Sequence, residues 1–412
     1  MLLKNLIKNI SKEKKDILIS GITTNSKEVK KNYIFFAIKG SKENGEKFIE
    51  EAYTNGASVI VCSVKCKIKN KEIPVIRTTK IRHFLSLVAS RFYKLKPKNI
   101  IAVTGTNGKT SVADIFYQIL RMNNISVATI GTLGIIYNGK VIKTNLTSPD
   151  TISLHKNLQY LKQKKINNVI IESSSHGLEQ KRLHHINFKG GIFTNFSQDH
   201  LDYHKNMKSY LNAKLILFRE ILQNKSIFIS DKEIEPFKLL KKIAKNKNCK
   251  LLDISEESKI IKKIIQKPIS DFKAKNLAMA TKALKLCGLN EILIYKSVRN
   301  IKQTNGRLEL IRKFQNNVKV FVDYAHTPDA LLKTIKSLKS DYGNNISLIF
   351  GCGGDRDKKK RKFMARIANK NCKKIYVTDD NPRNESPKKI RKEILKYISK
   401  DKAFDVGNRF LA

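Results

Sequence analysis

The sequence predicts an α/β protein whose sheets are mostly parallel. Short β-branched segments alternate along the chain with segments of helical periodicity, which is typical of parallel sheets covered by helices on both faces. In the middle of the chain, a strand predicted at 100–104 runs into a Gly-rich loop and then into a helical pattern at 109–122. The 412 residues are enough for about two to four domains of ordinary size.

The N-terminal segment predicts a small α/β domain. Apolar runs at 33–38 and 57–62 predict buried strands, and helical spacing covers 48–53 and 81–93. A charged connector that contains a proline follows at 94–99, and we expect a domain boundary there.

The rest of the chain repeats the alternation of strands and helices. The dipeptide Asn138-Gly139 predicts a tight hairpin turn. Further strands are predicted at 126–130, 169–171, 191–194, 318–322, 346–350 and 374–377. The last three are separated by helical patterns and indicate a second α/β unit. The predicted domains are 1–97, 98–302 and 303–412.

The net charge of +47 requires an interpretation. Lysine far outnumbers arginine among the 82 basic residues, and the lysines are spread along the whole chain. Proteins that read nucleic acid grooves rely more on arginine, so this pattern favours an ordinary solvated surface that can also attract anionic substrates. The six scattered cysteines fit no zinc pattern, and no apolar run approaches the ~18 residues of a membrane span. We expect a cytoplasmic monomer that binds neither nucleic acid nor a membrane.

The Gly-rich loop predicts a phosphate site. Gly105 and Gly108 allow backbone N–H groups to approach phosphate oxygens, and the start of the helix adds positive potential. Lys109 can reach the β- and γ-phosphates, while the hydroxyl of Thr110 or Ser111 can hold Mg²⁺. Val103 occupies the place of the first glycine of the usual P-loop pattern, so this loop is a shorter variant.

The loop resembles the nucleotide loop of the Mur ligases and of the related folylpolyglutamate synthases. Other segments resemble Mur ligase motifs in the same chain order: 147–149, 172–182, 194–204, 210–214, 306–309, 323–329, 351–357 and 380–383, with a weak match at 24–27. The resemblance covers nearly the whole chain. It implies a three-domain architecture with a central P-loop ATPase domain and a Rossmann-like C-terminal domain.

The resemblance also implies an activity. Mur ligases use ATP and Mg²⁺ to convert a carboxylate into an acyl phosphate, which an amine then attacks, and ADP is formed. The substrates implied here are ATP, UDP-MurNAc-L-Ala-D-Glu and meso-diaminopimelate, in peptidoglycan synthesis. The resemblance assigns the catalytic roles to Lys109, Glu172, His200 and Lys214. The implied metal ligands are Thr110, Glu172, His200 and Lys214 as its carbamate.

Binding residues follow from the same motifs. For ATP they are Gly105, Thr106, Asn107, Gly108, Lys109, Thr110 and Ser111, with Asn276 for adenine, Arg307 for phosphate and Asp323 for ribose. For the UDP-sugar peptide they are Ser26, Thr147, Ser148, Ser174, Gln180 and Arg182. For diaminopimelate they are Arg356, Asp380, Asn381, Pro382 and Arg383.

The segment 380–383 bears on the choice of amino acid. Family members that use diaminopimelate carry D-N-P-R here. Diaminopimelate has a second carboxylate that lysine lacks, and an arginine such as Arg383 can bind it with two charge-assisted hydrogen bonds. Lysine would leave the guanidinium unpaired.

Some departures from the family pattern leave alternatives open. Nothing here matches the family's later G-K-G-H-E segment, so we expect an incomplete C-terminal domain. Lys273 replaces a usual Asn, and the 24–27 segment reads Asn25-Ser26-Lys27 where relatives have D-S-R. The alternatives are a truncated inactive relic, a ligase closer to folylpolyglutamate synthase, or a basic protein that binds nucleotides or nucleic acid.

Overall fold

The computed structural model describes residues 1–8, 10–40, 43–68, 72, 74–266 and 269–412. Its strands are β1 Gly21–Thr23, β2 Tyr33–Phe36, β3 Ala57–Ser63, β4 Val75–Thr78, β5 Asn99–Thr104, β6 Val127–Gly131, β7 Gly134–Tyr137, β8 Lys140–Ile142, β9 Asn168–Glu172, β10 Gly190–Phe193, β11 Ile227–Ser230, β12 Lys250–Asp253, β13 Glu309–Lys313, β14 Lys319–Val322, β15 Ser347–Phe350, β16 Lys374–Val377 and β17 Ala403–Asp405.

Helices separate most of these strands. They are α1 Leu3–Leu6, α2 Ile49–Thr54, α3 Ile81–Phe92, α4 Lys109–Met122, α5 Thr151–Gln163, α6 Ser175–Glu179, α7 Leu201–His204, α8 Met207–Ile216, α9 Phe237–Asn246, α10 Ser255–Ile265, α11 Asp271–Leu286, α12 Glu291–Val298, α13 Pro328–Tyr342, α14 Lys359–Asn371 and α15 Pro387–Leu395. The predicted α/β class is therefore confirmed. Among the described residues, no helix is both long enough and apolar enough to cross a membrane.

The chain divides into two compact units. The first consists of Met1–Ala102, Ser126–Lys189 and Arg219–Gln223, and the second of Val103–Ile125, Gly190–Phe218 and Asn224–Ala412. The dividing line falls inside β5, so each unit contains part of this strand. The predicted domain boundaries, 1–97, 98–302 and 303–412, remain a prediction, because this division into two units groups the residues differently.

The first unit begins with a four-stranded parallel sheet in the order β1-β2-β3-β4. Neighbouring residues of a strand point to opposite faces. Ile34 and Phe36 of β2 accordingly pack in one apolar cluster, together with residues of α1 and α3, while Phe35 packs in another, with residues of α2. Both faces of this sheet are thus covered by helices, as the sequence predicted.

A second sheet of this unit has the order β5-β9-β6-β7-β8, to which β5 contributes residues 99–102. Strands β6 and β9 are parallel, whereas β6, β7 and β8 form an antiparallel meander. The predicted hairpin turn is confirmed between β7 and β8. Asn138 and Gly139 have φ of 47° and 76°, which suits a type I′ turn.

The second unit contains a parallel sheet in the order β12-β11-β10-β5, to which β5 contributes Val103 and Thr104. Helix α11 packs on this sheet and on α4. The ring of Phe218 contacts that of Phe193 in a tilted arrangement at a centroid distance of 5.9 Å, and that of Phe228 edge to face at 4.9 Å. The sheet therefore holds the end of β5, and with it the Gly-rich loop, on a rigid base.

The last hundred residues of the second unit contain two small sheets. Strands β15, β16 and β17 are parallel, over a core that includes Ile375, Val377, Met364 and Ile390. The strand predicted at 318–322 is present as β14, in the same compact unit as β15, β16 and β17, and it pairs antiparallel with β13 in a separate two-stranded sheet. Only a short loop joins β13 to β14, and such a loop permits a hairpin but not the long crossover of a parallel pair.

The buried His155 of α5 leads to a prediction about acid stability. Its side chain is 0% exposed. Burial lowers its pKa to about 3, and the charges of Lys96 and His185 act in the same direction, while the backbone of His184 opposes them. Because the unfolded chain takes up a proton on this ring below pH ~6.5 and the folded chain does not, the free energy of unfolding must fall as the pH drops from about 6.5 towards 3.

We expect His155→Leu to reduce this acid destabilisation by up to about 1.4 kcal/mol per pH unit. Urea unfolding of both proteins at several pH values between 7 and 4 measures the slope. Identical slopes for the two proteins would contradict the assignment.

Candidate active site

The Gly-rich loop between β5 and α4 has backbone angles that favour glycine. Gly105 has φ +139° and Gly108 has φ +85°. A Cβ atom on Gly105 would lie 1.9 Å from Thr194 Oγ1, and one on Gly108 would lie 2.7 Å from Asn276 Oδ1. Both positions therefore require glycine, for two reasons: the positive φ and the close packing against neighbouring atoms.

The segment after β10 holds this loop in place. Asn195 O accepts a hydrogen bond from Thr106 N at 3.0 Å, and Asn195 Oδ1 accepts one from Asn107 N at 2.9 Å. Thr194 Oγ1 donates to Asn107 O at 2.6 Å, and Thr106 Oγ1 donates to Ser197 O at 3.1 Å. The motif at 194–204 thus supports the phosphate loop, a role that the sequence did not suggest.

Lys109 and Thr110 open α4 next to this loop. Lys109 Nζ donates to Gly105 O at 2.9 Å and to Thr106 O at 2.8 Å, so the ammonium group lies against the loop. Arg307 Nη2 donates to Thr110 Oγ1 at 3.0 Å, and its guanidinium lies 4.4 Å from the ring centroid of Tyr324. Two residues predicted for phosphate and metal binding, far apart in sequence, are therefore in contact.

A cavity of about 380 Å³ lies beside the loop. Its size is within the range of pockets for small ligands. Its polar lining includes six of the residues predicted for ATP, namely Asn107, Gly108, Ser111, Asn276, Arg307 and Asp323. Its apolar lining includes Ile115, Ile265, Ile269, Phe272, Leu277 and Tyr324. Lys273, which replaces the family's usual Asn, lines the same cavity.

Asp323 has a structural role in addition to the one predicted. Its Oδ2 accepts from Leu308 N at 2.7 Å, and its Oδ1 accepts from Ala325 N at 2.9 Å and from Thr334 Oγ1 at 3.0 Å. The carboxylate therefore organises the loop at the wall of the cavity.

Lys214 of α8 is almost completely buried, with 1% of the residue exposed. Its Nζ donates to Gly105 O at 2.7 Å and lies 4.4 Å from the ring centroid of Tyr210. Burial holds its pKa well below the usual value, and the charge of Lys109 acts in the same direction, while Asp199 opposes both. The amine of Lys214 is therefore much more readily neutral than an ordinary lysine, and it lies directly behind the phosphate loop.

A buried carboxylate stands between two histidines in this unit. Asp199 Oδ2 lies 3.2 Å from His200 Nε2 and 3.4 Å from His326 Nε2. Burial alone would raise the pKa of Asp199, but the hydrogen bond with His326 and the charges of both histidines outweigh it and hold the pKa well below its usual range. Neither Asp199 nor His326 was predicted for the site, although both lie within motifs that the sequence showed.

Glu172 ends β9 in the first unit and is 2% exposed. Its Oε1 accepts from Thr132 N at 2.9 Å, and its Oε2 accepts from Thr132 Oγ1 at 3.1 Å. Within the described ranges, no group of three or more His, Cys, Asp or Glu side chains is arranged to hold a metal ion. The oxygen atoms of Thr110, Glu172 and a modified Lys214 fit Mg²⁺ by their chemistry, and His200 is a less usual ligand.

Most residues predicted for the UDP-sugar peptide meet in the first unit. Ser148 Oγ donates to Glu172 O at 2.8 Å, and Arg182 Nη1 donates to Ser148 O at 2.7 Å. Arg182 Nη2 also donates to Gln180 Oε1 at 2.7 Å. Ser174 caps α6 through Gly177 N and lies 3.0 Å from Ser148 Oγ, while Thr147 Oγ1 lies 3.2 Å from Thr132 Oγ1.

Ser26 is not part of this hydrogen-bonded group. It lies in the Ser26–Glu28 turn after β1, where Asn55 Nδ2 donates to its carbonyl oxygen at 3.1 Å. Its predicted role in substrate binding stays a prediction.

The two loops predicted for diaminopimelate pack on each other. Arg383 Nη1 donates to Gly354 O at 2.6 Å, and Gly354 N donates to Asn381 O at 2.9 Å. A Cβ atom on Gly354 would lie 1.8 Å from Pro382 O, so this contact requires glycine. Asp380 Oδ1 accepts from Arg409 Nη2 at 2.7 Å, and Arg356 lies 3.4 Å from Asp202. Arg409 was not predicted, since an isolated arginine near the end of the sequence carries no signal.

Comparisons with known proteins agree with these motifs. Three family models match the chain: the Mur ligase family catalytic domain at 18–93, the Mur ligase middle domain at 103–293, and the Mur ligase glutamate ligase domain at 306–408. The UDP-N-acetylmuramoyl-L-alanyl-D-glutamate–2,6-diaminopimelate ligase of Rickettsia montanensis is 37% identical over 95% of this chain and 86% of its own length.

Solved structures show the same relationship. The structure of a UDP-N-acetylmuramoyl-L-alanyl-D-glutamate–2,6-diaminopimelate ligase is 26% identical, with a TM-score of 0.69 over 99% of this chain and 89% of its own. The MurF ligase of Thermotoga maritima in complex with ADP is 18% identical, with a TM-score of 0.61 over 95% of this chain and 88% of its own, and shares the fold.

Proposed function

Because the chain belongs to the Mur ligase family, we infer that its loop 105–111 holds the triphosphate whose terminal phosphoryl group passes to a substrate carboxylate. The protein is an ATP-dependent, ADP-forming ligase that adds meso-diaminopimelate to UDP-N-acetylmuramoyl-L-alanyl-D-glutamate in peptidoglycan synthesis. The observation that carries the assignment to residues is the glycine-dependent loop beside the 380 Å³ cavity.

The reaction has two chemical steps. The carboxylate of the dipeptide attacks the γ-phosphorus of ATP, the bond to the β-phosphate oxygen breaks, and an acyl phosphate and ADP form. An amine of diaminopimelate then attacks the acyl carbon, phosphate leaves, and the nitrogen loses a proton. Such transfers depend on positioning and on neutralising charge more than on covalent help from the protein.

Lys109 and Arg307 supply cationic hydrogen-bond donors at the phosphate loop, and Asn276 borders Gly108 where an adenine could lie. When bound, Mg²⁺ neutralises phosphate charge, and Thr110, Glu172, His200 and carbamylated Lys214 are the residues proposed to hold it. Ser148, Ser174, Gln180 and Arg182 provide hydroxyl, amide and guanidinium groups for the UDP-sugar peptide.

We also propose that the enzyme works as a cytoplasmic monomer without nucleic acid. The buried free thiols of Cys62, Cys66, Cys352 and Cys372 are compatible with a reducing compartment.

The reaction itself provides the first test. Purified protein should release phosphate only when ATP, UDP-MurNAc-L-Ala-D-Glu and meso-diaminopimelate are all present. Lys109→Ala should weaken ATP binding about tenfold to a hundredfold, because it removes a charge-assisted contact to the phosphates, while Lys245→Ala on the exposed side of α9 should not. The assignment would be refuted if phosphate is released equally with and without meso-diaminopimelate, or if Lys109→Ala binds ATP as tightly as the wild type.

Lys214 provides the second test. A neutral amine adds CO₂ and loses one proton to form a carbamate, and the low pKa and burial of Lys214 favour this reaction. We expect a carbamate signal in ¹³C NMR with labelled bicarbonate. Lys214→Arg should abolish this signal and lower the turnover rate about a hundredfold. The exposed Lys245→Arg should retain both. Full turnover by Lys214→Arg would contradict the proposed carbamate.

Arg383 provides the third test. Its Nη1 donates to Gly354 O, which aims the guanidinium between the two loops and leaves other N–H groups for a carboxylate. Arg383→Ala should lower kcat/KM for diaminopimelate about tenfold to a hundredfold and reduce its preference over lysine. Arg312→Ala in β13 removes an arginine from an exposed strand and serves as the control. An unchanged preference would exclude Arg383 from amino-acid selection.

A further inference from the structure

A basic groove lies on the surface formed by α14 and the end of α15, away from the phosphate loop and next to the loops predicted for diaminopimelate, which Arg361 contacts through Gly353 O. We define this lysine groove by Lys358, Lys359, Arg361, Lys362, Phe363, Glu393, Lys396 and Tyr397. Its volume is about 440 Å³, similar to that of the cavity beside the phosphate loop. A groove of this size can accommodate a small molecule.

The two walls of the groove have matching residue spacing. Lys359, Lys362 and Phe363 lie three and four residues apart on α14, so they share one face of that helix. Glu393 lies in the last turn of α15, which packs against α14, and Lys396 and Tyr397 follow directly after this helix, three and four residues from Glu393. Cationic and aromatic side chains therefore face the groove from both sides.

Charge within the groove is unbalanced. Lys358 pairs with Glu385 at 3.3 Å, but in the described part of the chain Lys359, Lys362 and Lys396 form no ion pair with an acidic side chain. The groove's own acid, Glu393, pairs with Arg361 at 2.7 Å. The lysines repel one another across the groove, and an anion bound between them would relieve that repulsion.

Arg361 forms a fixed base for the groove. It is 2% exposed, and it pairs with Glu385 at 3.0 Å as well as with Glu393. Its Nε is buried without a hydrogen-bond partner among the described residues. The charges of Arg361 and Glu393 cancel, which leaves Lys359, Lys362 and Lys396 as a net positive group.

Aromatic rings give the groove a second kind of contact. Phe363 is 45% exposed, a large fraction for a phenylalanine beside so many lysines. The ring of Tyr397 lies 5.4 Å from Lys362 Nζ and 5.6 Å from the guanidinium of Arg366. Lysines next to an exposed ring suit a ligand that carries phosphates on a planar base, because the base stacks and the phosphates pair with ammonium groups.

We propose that the lysine groove binds a nucleoside polyphosphate at a second site, separate from the phosphate loop. Lys359, Lys362 and Lys396 contact its phosphates, and Phe363 stacks on its base. The short walls favour a single nucleotide over a strand, since four helical residues span only about 6 Å.

Fluorescent N-methylanthraniloyl-ADP with Mg²⁺ is the probe for this site. We expect two binding events per wild-type chain, and Lys109→Ala should weaken the event at the phosphate loop about tenfold to a hundredfold while it leaves the event in the groove unchanged. Charge reversal by Lys362→Glu with Lys396→Glu should weaken the second event at least tenfold and leave the first unchanged. The same reversal at Lys241 and Lys245, two exposed lysines of α9, is the matched control and should retain both events.

Phe363→Ala separates stacking from charge. In the Lys109→Ala background, this substitution should weaken binding of the nucleotide probe to the groove but leave binding of inorganic tripolyphosphate unchanged. A single binding event in the wild type, or equal loss in the α9 control, would overturn the proposal. If an oligonucleotide of several nucleotides binds the groove more tightly than the single-nucleotide probe does, the proposal is also overturned. Circular dichroism of each variant verifies that it is folded. If the ligase assay fails while the probe still binds the groove, the result contradicts the proposed function and not the second site.

Discussion

The close packing of the phosphate loop against the segment after β10 is the constraint on which the candidate site depends. Thr194, Asn195 and Ser197 hold the loop through both backbone and side chains, and Gly105 leaves no room for a Cβ atom. Because β5 and β10 belong to one parallel sheet, their carboxyl ends meet at the same edge. The geometry of the sheet therefore determines which backbone groups can face a phosphate.

Buried charge is the second feature of the site. The Gly105 carbonyl accepts hydrogen bonds from both Lys109 and Lys214, so two amines converge on one oxygen. Two cations so close are unfavourable, and burial of Lys214 shifts the balance towards its neutral form. Asp199, between His200 and His326, is a buried anion in the same unit and partly compensates. A negatively charged carbamate on Lys214 would turn the repulsion by Lys109 into attraction.

Much of the fold was predictable because local patterns were strong. The Lys109–Met122 helix, the β16 strand and the Asn138-Gly139 turn agree with their predictions, since each depends on local periodicity or on turn chemistry. The strands β11, β12, β13 and β17 were not predicted. All four are short. Strands β12 and β13 are partly or largely exposed, so these two carry little of the apolar signal that marks a buried strand, whereas β11 is apolar and buried.

By itself, the sequence determined the α/β class, the glycine-dependent loop, and the order of the motifs that place the chain among the Mur ligases. These follow from residue type and spacing, which are local properties. Only the tertiary structure decided that Arg307 meets Thr110, that His326 and His200 share Asp199, and that α14 and the residue after α15 present lysines to one groove. Such contacts join residues far apart in the chain, and they depend on how the sheets and helices pack.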